Sequence, residues 1–218
     1  MKENEKSKIT QNNKGFSFVE LIIALAISSI VLFALGVFVS QSVRSYRRST
    51  VNAKLETNLD NAMAFGESCV LNASSIRLFK VGDLVYLLSY DSDNNQVGLK
   101  YENETLYYIF NQEESFIAGN ISDFSVKLNK DMISLTRKDS NSFNLDYVSD
   151  YPMLDITISS KLSGQERTIN KNFSTRNSCK DKLYLGEGNS ESSIDFVKLS
   201  TSENQVIPTS LVDSFINQ

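Results

Sequence analysis

FSFVELIIALAISSIVLFALGVFV, residues 16–39, decides the fold. The stretch contains Leu, Ile, Val, Phe and Ala, no proline, and a single charged residue, Glu20. As an α-helix, about 24 residues at 1.5 Å per residue reach about 36 Å, enough to cross a bilayer with some tilt. Gly36 is the only weak helix former in it. Ser28 and Ser29 can bond back to carbonyls one turn earlier, which leaves a membrane helix intact. A carboxylate within hydrocarbon costs about 3 kcal/mol or more unless paired, so Glu20 is expected to have a function.

A secretory signal peptide fits this stretch poorly. The apolar run is long for such a peptide, and no small-x-small cleavage site follows it. It is instead preceded by a polar, lysine-containing segment that ends in Lys14-Gly15. A plain single-pass anchor explains the length and leaves Glu20 unexplained. The segment Lys14-Gly15-Phe16-Ser17-Phe18-Val19-Glu20-Leu21 resembles the prepilin peptidase site of type IV pilins and type II secretion pseudopilins. The resemblance implies a cut between Gly15 and Phe16 and N-methylation of Phe16. It also implies a role in assembly for Glu20, as the counter-charge for the first-residue amine of a neighbouring subunit. Glycine before the cut lets a protease approach the backbone without meeting a side chain. Carboxylate and amine, each costly alone in an apolar filament core, are tolerable as a pair. Lysines precede the span and Arg44, Arg47 and Arg48 follow it, so flanking charge leaves the orientation open. The resemblance implies a cytoplasmic leader and a C-terminal bulk outside.

Beyond the span, Tyr46, Thr50, Ala53, Leu55, Leu59, Ala62 and Met63 recur at mostly three- and four-residue steps, which predicts that the helix continues with one apolar stripe. Gly66 and Ser68 mark where it is expected to weaken. From Val81 the period changes to two. Leu84, Tyr86 and Leu88 alternate with Val85 and Leu87, and Phe124, Val126 and Leu128 share a strand face. Glu102-Asn103-Glu104 and Ser163-Gly164 read as hairpin turns. The fold class expected is α+β: a long N-terminal helix packed on an antiparallel meander of about six to eight strands. The boundaries follow as a leader at 1–15, a transmembrane or filament-core helix at 16–40 and an amphipathic continuation at 41–70. A β-rich domain at 71–176 and a C-terminal extension at 177–218 complete the chain. In that last part, 194–199 suggests an edge strand and 209–216 a short helix after Pro208. The strand order, with VGLKYENETLYYIF at 97–110 and the hairpin ending at 173–177, resembles PilW-type minor pilins and J-type minor pseudopilins.

Charge is unevenly spread. Residues 1–15 sum to +2 and residues 41–54 to +4; with Glu20 counted separately, the total of −4 leaves −9 on residues 55–218. An acidic domain repels phosphate backbones, so direct nucleic-acid binding is not expected. Histidine is absent, and with it the commonest general base and metal ligand. No nucleophile–base pair, P-loop or CxxC motif stands in the sequence, so neither an enzyme nor a cofactor is expected. Cys69 and Cys179 are an even count that permits a disulfide on a translocated domain. Such a bond would close a loop of roughly 110 residues and add up to about 4 kcal/mol. Two separate buried thiols are the other reading. Asp91, Asp93, Asn95 and Glu102 fall at positions 1, 3, 5 and 12 of a calcium-loop template. Gln96 stands where that template needs glycine, and a polar hairpin loop is the stronger reading. Tyr86, Tyr90, Tyr101, Tyr107 and Tyr108 are expected to pack on the sheet rather than form a binding patch.

The resemblance implies a minor type IV pilin that helps initiate or cap a pilus. Its partners would be other major and minor pilins, prepilin peptidase, a membrane assembly platform, and the lipid bilayer before assembly. The chain would be a single-pass protein of the cell membrane, and at the pilus or cell surface once assembled. A minor pseudopilin of a type II secretion or competence system is the close alternative. A tip-displayed adhesin is the alternative from another class.

Overall fold

The computed structural model describes residues 17–190, 193–200 and 205–216. Helix α1 runs over Phe18–Leu71, 54 residues without a break. The chain divides into two compact units, Met1–Ser49 and Thr50–Gln218. In the first, the described residues are the N-terminal part of α1, exposed all round as an apolar helix with no covering side chains. Phe33 is 75% exposed and Leu32 68%. Ser29 Oγ donates to the Ala26 carbonyl at 2.7 Å, as expected for a serine inside such a helix.

In the second unit, α1 shows a buried stripe of Leu55, Leu59, Ala62, Met63, Gly66, Cys69 and Val70. The steps of three and four residues put these on one face. Four of them were legible in the apolar repeat. Gly66, expected to weaken the helix, is instead part of its buried face. A Cβ there would stand 3.1 Å from Ile156 Cδ1, so glycine is the residue that lets strand and helix approach.

Among the described residues thirteen strands follow: β1 Ser75–Val81, β2 Leu84–Tyr90, β3 Gln96–Glu102, β4 Thr105–Phe110, β5 Glu113–Gly119, β6 Ile121–Leu128, β7 Ile133–Arg137, β8 Ser142–Val148, β9 Met153–Leu162, β10 Gln165–Ser174, β11 Leu183–Gly188, β12 Asp195–Leu199 and β13 Val206–Pro208. A short helix α2, Thr209–Phe215, closes the described chain. The architecture is α+β and pilin-like, with three sheets where one meander was expected. The largest has the order β12-β11-β1-β2-β3-β4-β5, and two three-stranded sheets have the orders β10-β9-β6 and β13-β8-β7. All pairings are antiparallel except β1 with β11.

Register places the core. Leu185, Leu78, Leu87 and Leu99 stand opposite one another on four adjacent strands, each fully buried. In the second sheet, Phe124, Val126 and Leu128 face Ile158, Ile156 and Leu154. These rows share one hydrophobic cluster with Leu59, Ala62 and Met63 of α1 and with Leu211, Val212 and Phe215 of α2. At about 25 cal/mol per Å² of apolar area, burying each such side chain contributes roughly 1.5–3 kcal/mol. The expected hairpins close through residues with positive φ: Asn103 (49°) with Glu104 (58°), and Ser163 (52°) with Gly164 (77°). Both fit the two-residue turn whose twist matches the strands.

Candidate functional site: the N-terminal helix and its carboxylate

The site begins at Ser17. Its carbonyl accepts the first intrahelical bond, from Leu21 N–H at 3.1 Å. Glu20 reaches back, and its Oε2 accepts the Ser17 N–H at 3.0 Å. Ser-x-x-Glu is the sequence of a capping box, and the carboxylate supplies the reciprocal half, satisfying one donor that the helix start leaves orphaned. Negative charge in the first turn also complements the helix dipole. Sequence reasoning gave Glu20 only an intermolecular role; the capping signal was present in Ser17 and Glu20 and went unread. Gly15 and Phe16 lie outside the described residues, so the cleavage site and the amine that a cut would free are expectations from sequence.

Below Glu20 the helix surface is continuous apolar side chain. Leu25 is 63% exposed and Ile30 68%. Among the described residues, α1 is the one helix long and apolar enough to cross a membrane. A surface of this kind requires lipid or other apolar helices around it, because soluble proteins rarely expose apolar patches beyond a few hundred Å². Arg44, Arg47 and Arg48 follow on the exposed helix and close the apolar stretch with positive charge.

The other sequence candidates separate. Cys69 and Cys179 are not joined; both are free, buried thiols, so the disulfide that their number permitted is absent from the structure. Cys179 Sγ lies 3.5 Å from the Ala73 carbonyl, to which it donates. Burial pushes the Cys69 thiol up to about 12 and the Cys179 thiol up to about 11. The calcium-template residues serve the loop itself. Asp91 accepts from the Asn95 side chain at 3.0 Å, and from the Asn95 and Asp93 backbone N–H groups at 2.8 and 2.9 Å. These bonds, with that from the Asn95 side chain the strongest, hold its carboxyl below the ordinary value. Glu102 is paired with Lys100 Nζ at 2.9 Å, on the sheet. Among the described residues, no three His, Cys, Asp or Glu side chains gather as metal ligands would. The five tyrosines lie buried or half-buried on the sheet, and Tyr101 donates to the Ile121 carbonyl at 3.2 Å.

A family model described as "Prokaryotic N-terminal methylation motif" matches residues 10–36. No curated protein and no solved structure matches the chain. The motif, followed by an apolar helix and a C-terminal domain of helix and sheet, supports a type IV pilin- or pseudopilin-like precursor. A chain of that class is anchored in the membrane, processed by prepilin peptidase and assembled with other pilins.

Proposed function

We propose that this chain is a minor type IV pilin, a structural subunit that helps initiate or cap a pilus. The observation that carries the reading is one acid, Glu20, at the head of a helix whose apolar surface is bare. Prepilin peptidase cuts between Gly15 and Phe16, and Phe16 is N-methylated. The helix then leaves the bilayer for a core of packed pilin helices. In the unassembled chain, Glu20 caps its own helix with one oxygen. Its other oxygen carries no hydrogen bond among the described residues and is open to a cation. In the filament, that cation is the first-residue amine of a neighbouring subunit. The pair lets both charges enter a low-dielectric core that would reject either alone.

The role is tested by Glu20→Ala in the native host. The variant is expected to be processed normally and to stay in the membrane fraction, with incorporation into sheared filaments reduced at least about tenfold, equivalent to about 1.4 kcal/mol of assembly free energy. Incorporation at the wild-type level would remove the pairing role.

A further inference from the structure

The seven-stranded sheet has two populated faces. One faces the main core. The other holds a second, smaller cluster of Phe79, Val81, Tyr86, Leu88 and Ile109, with Leu84 and Ile194 against it. Phe79 stacks on Tyr86 with ring centroids 4.5 Å apart and meets Phe196 edge-on at 5.5 Å. Gly186 makes room for this arrangement, since a Cβ there would lie 2.7 Å from Ile194 and 2.8 Å from Phe196.

Arg77 lies among the rings. Its guanidinium is 5.2 Å from the Tyr90 centroid, 5.5 Å from Tyr184 and 5.7 Å from Phe196. The rings hold the cation by its faces, and no carboxylate among the described residues pairs with it. Lys100, another cation of this face, is already matched by Glu102 at 2.9 Å and Glu114 at 3.0 Å, while Lys198 stands opposite Tyr184 on the edge strand β12. Arg77, Phe79, Gln96, Gln112, Glu114 and Phe196 are among the residues that line a groove of about 310 Å³, at the lower end of small-ligand sites. The side-chain amides of Gln96 and Gln112 have no hydrogen-bond partner among the described residues. The groove therefore offers the partly exposed ring of Phe196, one guanidinium fork with no carboxylate partner and two open amides, beside the Lys100–Glu114 ion pair.

We propose that this face binds an acidic sugar, with its carboxylate on Arg77, its ring on Phe196 and its hydroxyls on Gln96 and Gln112. Each part follows from chemistry. A guanidinium takes a carboxylate in bidentate fashion. The negative face of an aromatic ring receives the positively polarised C–H edge of a pyranose. Amides both donate to and accept from hydroxyls. A single carboxylate suits the site better than a polyanion, which the −9 carried by residues 55–218 repels. This activity is separate from assembly and does not depend on Glu20.

The test is calorimetric titration of the full chain in detergent with galacturonosyl-galactose (a disaccharide with one carboxylate), neutral galactobiose and an oligothymidylate. The acidic disaccharide is expected to bind at least about tenfold more tightly than the neutral one. Arg77→Gln should lose that preference, Arg77→Lys should keep part of it, and Phe196→Ala should weaken both sugars. Thermal melts of the variants check that the fold survives. Equal affinity for charged and neutral sugars in the unsubstituted chain, no heat with either, or tighter binding of the oligothymidylate would each overturn the proposal. So would an unchanged preference in Arg77→Gln.

Discussion

Glu20, Cys69 and Cys179 show how far a single residue's environment follows from its letter. Glu20 was legible as functional because a carboxylate in an apolar run needs a reason, and its bond to Ser17 N–H at 3.0 Å adds a second use for the same group. For the cysteines, an even count left two readings, and the structure takes the one with separate buried thiols. The rest was illegible because the distance between two sulfurs depends on how α1 and the segment before β11 are packed, which the sequence spacing does not encode. Their titration makes a pH prediction. Both folded pKa values lie above the ordinary 9.0, near 12 for Cys69 and 11 for Cys179. Their contribution to stability is therefore complete below pH 9 and is lost as pH rises from 9 through 12, where the unfolded chain ionises before the folded one. Unfolding free energy measured by urea titration is expected to fall over that range, and Cys69→Ala should flatten the fall. Both thiols should also resist alkylation at pH 8 until denaturant is added.

At the scale of elements, α1 was the most legible part of the chain, because length and period together fix it. Its buried stripe places Gly66 against Ile156 of β9 and Leu99 of β3. Gly66→Leu is expected to lower stability by about 1–3 kcal/mol through overpacking, despite the better helix propensity of leucine. The midpoint of thermal unfolding of residues 50–218 within the full chain checks this; a raised midpoint would mean that the helix and sheet have slack there. Of the strands that escaped sequence reading (β1, β5, β8, β11 and β13), β1 and β11 show the physical reasons most clearly. β1 (SIRLFKV) is apolar toward the main core through Ile76 and Leu78 and toward the second cluster through Phe79 and Val81, so its period of two is blurred. β11 (LYLGEG) carries Gly186 and Gly188, which read as breakers. The structure uses them because Cβ atoms there would strike Phe196 and the Ser193 backbone.

At the scale of the whole molecule, the largest difference from the sequence reading concerns residues 177–218, set apart as an extension in which only the strand at 194–199 and the helix at 209–216 were expected. They supply β11, β12, β13 and α2. β11 lies between β1 and β12, and it pairs with β1 in parallel over Ile76↔Leu183 to Val81↔Gly188. A parallel partner about 107 residues away leaves no hairpin signal, which is why β11 was not read from the sequence. Ending the chain at residue 176 should remove Leu183, Leu185, Leu211, Val212 and Phe215 from the core. At roughly 2 kcal/mol per lost side chain, these five alone come to about 10 kcal/mol if the losses add, as large as the 5–15 kcal/mol a domain has in hand. The truncated chain is expected to show no cooperative melt and rapid proteolysis; a cooperative melt near the full-length value would make the tail an appendage.

The motif at residues 10–36 and the exposed apolar helix below it make processing at the N-terminus the central claim. Intact mass and N-terminal sequencing of the full chain, expressed with and without active prepilin peptidase, test it most directly. The expected result is loss of residues 1–15 only when the peptidase is present, with methylated Phe16 as the new first residue. An unchanged N-terminus at Met1 beside an active peptidase, or a cut at any other bond, would contradict it.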